Sequence, residues 1–111
     1  MSRYLVNRVL RDVYLDDSVN AAFRAEPTAC VSAWQDRTGR RLTGAERAAV
    51  VAGDYAALYA MGAHPYLLWG FCESTMVPAR SRAELVADYR EALLPLGYPD
   101  VATTPAPAGG G

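Results

Sequence analysis

Apolar side chains recur at Leu5, Val6, Val9, Leu10, Val13 and Tyr14, an i, i+4, i+8 spacing that lays one stripe along a helix. Arg3, Asn7, Arg8, Arg11 and Asp12 fill the opposite face. Asp16-Asp17-Ser18 then supplies cap-type residues for a short second helix through Phe23 and Arg24. Glu26-Pro27-Thr28 restarts the chain, because a first helical turn does not use the N–H that proline lacks. The third helix predicted there runs through Cys30, Val31, Ala33 and Trp34. The polar stretch 36–41, which contains Gly39, reads as a loop.

Thr43-Gly44-Ala45-Glu46 fits a capping box, in which the hydroxyl caps the N3 amide and the carboxylate reaches back to the cap amide. The helix it opens ends at Gly53, a natural left-handed stop. Asp54 caps a further helix, 55–61, closed by Gly62. A short apolar segment follows at 65–71, and 72–80, without a clear period and with Pro78, reads as a loop. Ser81-Arg82-Ala83-Glu84 is a second capping box, opening a helix with Leu85, Tyr89 and Leu93 on one face, which Pro95 and Gly97 end. No segment alternates with period two for long enough to be a strand, and there is no internal repeat. The pattern predicts an all-α fold, a small orthogonal multi-helix domain of six or seven short helices over residues 1–97. Residues 98–111, rich in Pro, Ala, Thr and Gly, are expected to form a disordered tail.

A chain of 111 residues supports one core. Area scalings put about 17,000 Å² on the unfolded chain and about 6,000 Å² on the folded one. The net charge of −1 argues against a nucleic-acid partner, which calls for a basic face. All 11 basic residues are Arg, Lys is absent and Ala occurs 20 times, a bias of a GC-rich genome that weakens any argument from Arg content. The longest apolar stretch is far short of the ~20 residues that span a bilayer, and the N-terminus lacks the apolar core of a signal peptide. A soluble, cytoplasmic protein with no membrane partner is therefore expected.

His64 is the single histidine. A facial iron site of two His and one carboxylate needs a second, and catalytic zinc takes several imidazoles or a mix with thiolates. The two cysteines, Cys30 and Cys72, cannot build a structural zinc site, and Cys72 has no basic neighbour in sequence to activate it. No G-x-S-x-G elbow is present. Neither a catalytic residue nor a metal ligand set nor a cofactor of its own is assigned to this chain. His64, placed before Pro65 at a helix start, reads either as a polar group aimed at a ligand or as a local cap. Tyr66, Trp69 and Phe71 read either as core or as an interface toward a partner, where Trp and Tyr are enriched. Glu73, Ser74, Thr75 and Met76 read either as a functional loop or as an ordinary connection.

The runs Leu42-Thr43-x-x-Glu46-Arg47, Gly53-Asp54-Tyr55-Ala56-Ala57-Leu58-Tyr59 and Gly62-Ala63-His64-Pro65-Tyr66-Leu67-Leu68 resemble the LigA-type small α-subunit of protocatechuate 4,5-dioxygenase, of the class III extradiol ring-cleaving dioxygenases. The resemblance covers about residues 4–97, including Val6-Asn7-Arg8-Val9-Leu10 through Phe23, with the helix 81–97 as a plausible counterpart of the family's last. It implies an all-helical, noncatalytic subunit that covers the active-site mouth of a catalytic LigB-type β-subunit, which holds Fe(II) with two His and a Glu. It also implies an aromatic diol as substrate at the shared site, a partner interface that takes in His64, Tyr66, Trp69 and Phe71, and lid contacts to the substrate from Glu73, Ser74, Thr75 and Met76. The loop between Phe71 and Ser81 looks shorter than in the protocatechuate enzyme.

Two other readings stand beside it. Helical domains of this kind also resemble the recognition part of split borosin precursors, which present a C-terminal core to a backbone N-methyltransferase. The tail from Val101 fits that use, although the three prolines within 99–107 have no N–H to methylate. The other is a freestanding domain that binds a small aromatic compound or a protein.

Overall fold

The structure, a computed structural model, describes residues 2–98, with side chains from residue 4. Seven α-helices follow one another: α1 (Ser2–Leu15), α2 (Asp17–Ala25), α3 (Pro27–Thr38), α4 (Gly44–Ala52), α5 (Tyr55–Ala60), α6 (Pro65–Met76) and α7 (Arg82–Leu93). A 3-10 turn, Leu94–Leu96, follows α7. No strand occurs among the described residues, so the all-α expectation holds.

The helix starts are written in the sequence as caps. The Asp16 carboxylate accepts from the amides of Ser18 and Val19, Pro27 opens α3, and Asp54 accepts from the Ala57 amide. The α4 box is complete: Thr43 Oγ1 accepts from the Glu46 amide at 3.1 Å and Glu46 Oε1 from the Thr43 amide at 2.7 Å. The box expected at α7 is formed on its Ser81 side, where the hydroxyl accepts from the Glu84 amide at 3.4 Å. The end of α3 differs from expectation. Helix α3 runs on through Thr38 and ends at Gly39 in the left-handed region, so the expected loop 36–41 begins later. Its polar end is absorbed locally, with Thr38 Oγ1 donating to the Trp34 carbonyl at 2.8 Å. Gln35, although polar, is buried, because its Oε1 accepts the Leu42 amide at 2.9 Å and ties the loop back onto the helix.

The α1 stripe is the centre of the core: Val6, Val9, Leu10 and Val13 are buried. Helices α2, α4 and α6 pack around α1. Trp34 of α3 is fully buried and donates its indole N–H to Asp12 Oδ2 at 2.8 Å, which ties α3 to α1. Leu85, Tyr89 and Leu93 bury one face of α7, as the spacing predicts. The expected domain boundary falls one residue early. Tyr98 is only 5% exposed, and its hydroxyl donates to the Pro65 carbonyl at 2.8 Å. The remainder of the expected tail, 99–111, lies outside the described residues.

Ser18 donates its hydroxyl to the Asp16 carboxylate, and this bond, with those from the Val19 and Ser18 amides, holds the carboxyl below its ordinary value of 3.8. A lowered folded-state value contributes stability that is complete above the unfolded value and is lost as pH falls through the folded one. Asp16→Ala is therefore expected to destabilise the protein at neutral pH, with the gap to wild type closing in acid. Urea unfolding of both proteins from neutral to acid pH checks this, and a gap independent of pH would contradict it.

Candidate functional site

Helix α6 carries all but one of the residues singled out in the sequence, with His64 at its N-cap, and it separates them by direction. It begins at Pro65 and continues to Met76, so the expected loop at 72–80 is a correction: Glu73, Ser74, Thr75 and Met76 form the last turn of a helix. No helix-breaking residue stands between Cys72 and Pro78, and the hydroxyls of Ser74 and Thr75 turn back on the backbone. Thr75 Oγ1 donates to the Phe71 carbonyl at 2.7 Å and Ser74 Oγ to the same carbonyl at 3.3 Å. The helix stops at Val77, whose extended backbone is what a following proline imposes.

Phe71 is a second correction. It is fully buried, edge-on to Phe23 at 5.3 Å between centroids, and so belongs to the core and not to an interface. Its position on the inward face with Leu68 and Cys72 decides this; an apolar run gives no direction until the helix phase is known. His64 is the N-cap of α6, with Nδ1 accepting the Tyr66 amide at 3.1 Å. Its own amide donates to Asn7 Oδ1 at 2.7 Å, while Asn7 Nδ2 donates to the Gly62 carbonyl at 3.2 Å. Asn7 of α1 thus fixes the α5–α6 turn. Its place among the polar residues of an amphipathic helix gave no sign of that role.

Tyr66 and Glu73 lie at i and i+7 on the outer face, with Gly70 at i+4 buried beneath Tyr14 and Trp69 beside them toward α7. Tyr66 is 64% exposed. Tyr14 of α1 lies edge-on to it at 6.1 Å, above Gly70. A Cβ on Gly70 would stand 2.5 Å from the Tyr14 ring, so the missing side chain is what lets the ring lie down on α6. The hydrogen bond with Tyr66, then burial, raises the Tyr14 phenol above its ordinary value. Arg82 Nε donates to Glu73 Oε2 at 2.6 Å, and its guanidinium sits 5.8 Å from the Trp69 ring centroid. Trp69 in turn stands edge-on to the buried Tyr89 at 4.9 Å. Tyr66, Trp69 and Glu73, expected to serve two separate purposes, therefore form one surface with Tyr14 and Arg82, which the sequence did not single out. A residue from α1 and one from α7 meet there only through the fold.

The other expected contacts point elsewhere. Asn20 Nδ2 donates to Ser74 Oγ at 3.1 Å. Met76 approaches Gly53, and with Thr75 lines a small hollow of about 170 Å³ beside Phe23 and Pro27. His64 and Met76, at opposite ends of the helix, are about 18 Å apart along its axis. A wider groove of about 660 Å³ opens at the His64 end. Burial pushes the thiols of Cys72 and Cys30 up, which leaves both poor nucleophiles at neutral pH. Among the described residues no three His, Cys, Asp or Glu side chains come together as a metal site. No described helix is long and apolar enough to cross a membrane.

Fold and surface together define a small all-α domain with an aromatic and charged outer face on α6. Comparison with protein-family models, with curated proteins and with solved structures finds no match.

Proposed function

We propose that this chain is the noncatalytic small subunit of an Fe(II)-dependent extradiol ring-opening dioxygenase, seated on a catalytic β-type subunit through the outer face of α6. The observation that carries the reading is the makeup of that face. Tyr, Trp and Arg are the residues that concentrate binding energy at protein interfaces, and here Tyr14, Tyr66, Trp69 and Arg82 share one surface. A tyrosine as exposed as Tyr66, with its ring held by Tyr14, has little conformational freedom left to lose on docking.

The motif residues that carry the family resemblance support a shared fold. Thr43, Gly53, Asp54, Gly62 and His64 each stand at a helix start or stop. Iron, held by the partner, would supply the activation of O₂ and of the diol. This chain would exclude water from the mouth of the site and present Glu73, whose carboxylate is half-exposed at the edge of the docking face.

The test is affinity capture of the tagged full chain from its own cells, with mass spectrometry and metal analysis of what accompanies it. A stoichiometric second chain that carries iron is expected. Recovery of a backbone N-methyltransferase, or of the chain alone, overturns the reading.

A further inference from the structure

The groove of about 660 Å³ at the N-terminal end of α6 is lined by Asn7, Tyr59, Ala63, His64, Pro65 and Leu96, among others. Its walls are largely apolar, and Leu96 stands 51% exposed at it. The described chain ends at the same place. Tyr98 is anchored through its amide, which donates to the Leu93 carbonyl at 3.2 Å, and through its hydroxyl on the Pro65 carbonyl. Its ring packs on Tyr59 at 5.3 Å. Pro65 and Tyr59 are both walls of the groove, so the described residues end at its rim.

The thirteen residues that follow, 99–111, carry one charge, Asp100, with prolines at 99, 105 and 107 and an apolar Val101. Such a sequence favours the polyproline II conformation, which makes no internal hydrogen bonds and offers its carbonyls outward. Pro-rich segments dock in grooves with aromatic walls, and Tyr59 supplies one here; a ring N–H beside it can donate to an outward carbonyl. His64 has that donor. Its Nδ1 accepts the Tyr66 amide, so the neutral ring carries its proton on Nε2. Six residues of polyproline II reach about 19 Å from Tyr98. A tether this short keeps the segment at an effective concentration on the order of millimolar, so weak contacts suffice.

We infer that residues 101–107 dock into this groove in cis, as a built-in occupant of the Tyr59–His64–Leu96 surface. This inference does not depend on the dioxygenase reading. The test uses the full chain with a nitroxide on Thr104→Cys. Cys30 and Cys72 are buried and escape labelling. The amides of Gly62, Ala63 and His64 are expected to lose most of their NMR intensity, while those of α2 keep theirs. Adding Leu96→Glu, which sets a charge in the groove at an exposed position, is expected to restore the lost signals. Weak, even broadening over the whole surface, or broadening that survives Leu96→Glu, overturns the inference. So does broadening of isotope-labelled chains by spin-labelled ones mixed with them, which would make a second copy the source of the segment.

Discussion

Replacing Trp34 with alanine is expected to cost about 3–5 kcal/mol, the range for deleting a fully buried tryptophan. A chain of this size has about 5–15 kcal/mol in total, so the variant should stand at or near the edge of folding. The position is sensitive because two effects coincide there. The indole is fully buried in the core, and its N–H satisfies Asp12, which is partly withdrawn from water. Trp34→Phe separates them: it keeps most of the packing and gives up the hydrogen bond, for a smaller loss of about 1–2 kcal/mol. Equilibrium urea unfolding measures both. A drop in midpoint on the order of 2 M for Trp34→Ala is expected with ordinary urea slopes. An unchanged midpoint would mean that the α1–α3 contact does not hold the domain together.

The second large effect concerns docking and not folding. Tyr66→Ala and Arg82→Ala remove exposed side chains, so each should leave stability within about 0.5 kcal/mol of wild type. Each should nevertheless weaken attachment to the partner by about 2 kcal/mol or more, roughly 30-fold in Kd, as deletions at the centre of an interface do. Phe71→Ala is the contrast. Its side chain is in the core, so it should cost about 3–5 kcal/mol of stability. Surface plasmon resonance against the captured partner, with unfolding curves on the same samples, distinguishes the two kinds of loss. Stable Tyr66 and Arg82 variants that bind like wild type would remove the α6 face as the docking site.

The helices were legible in the sequence wherever their ends carry chemistry of their own. Asp16, Thr43 with Glu46, Asp54, Ser81, Gly53 and Gly97 mark starts and stops through local hydrogen bonds or a left-handed turn, which neighbours in sequence suffice to specify. The ends of α3 and α6 were not, because Thr38, Ser74 and Thr75 are polar yet satisfy themselves on the preceding turn. The site was half legible. An apolar run such as 65–71 announces burial, but which of Tyr66, Trp69 and Phe71 faces out depends on the phase of α6 against α1 and α7. That phase is set by long-range packing: Tyr14 lies on Gly70, Tyr89 backs Trp69, and Phe23 takes Phe71. Asn7 was hidden for the same reason, since its two bonds to the α5–α6 turn span more than fifty positions of sequence.

Ring-cleaving activity carried by the captured assembly tests the central proposal most directly. The tagged full chain and its Tyr66→Glu variant are recovered in parallel, and each eluate is assayed for catechol-dependent O₂ uptake over a panel of catechols. The account predicts uptake and ring-opened product in the wild-type eluate, and the variant recovered folded, alone and inactive. A wild-type eluate with no such activity would contradict the dioxygenase reading. A Tyr66→Glu eluate that keeps its partner and its activity would contradict the role given to the α6 face.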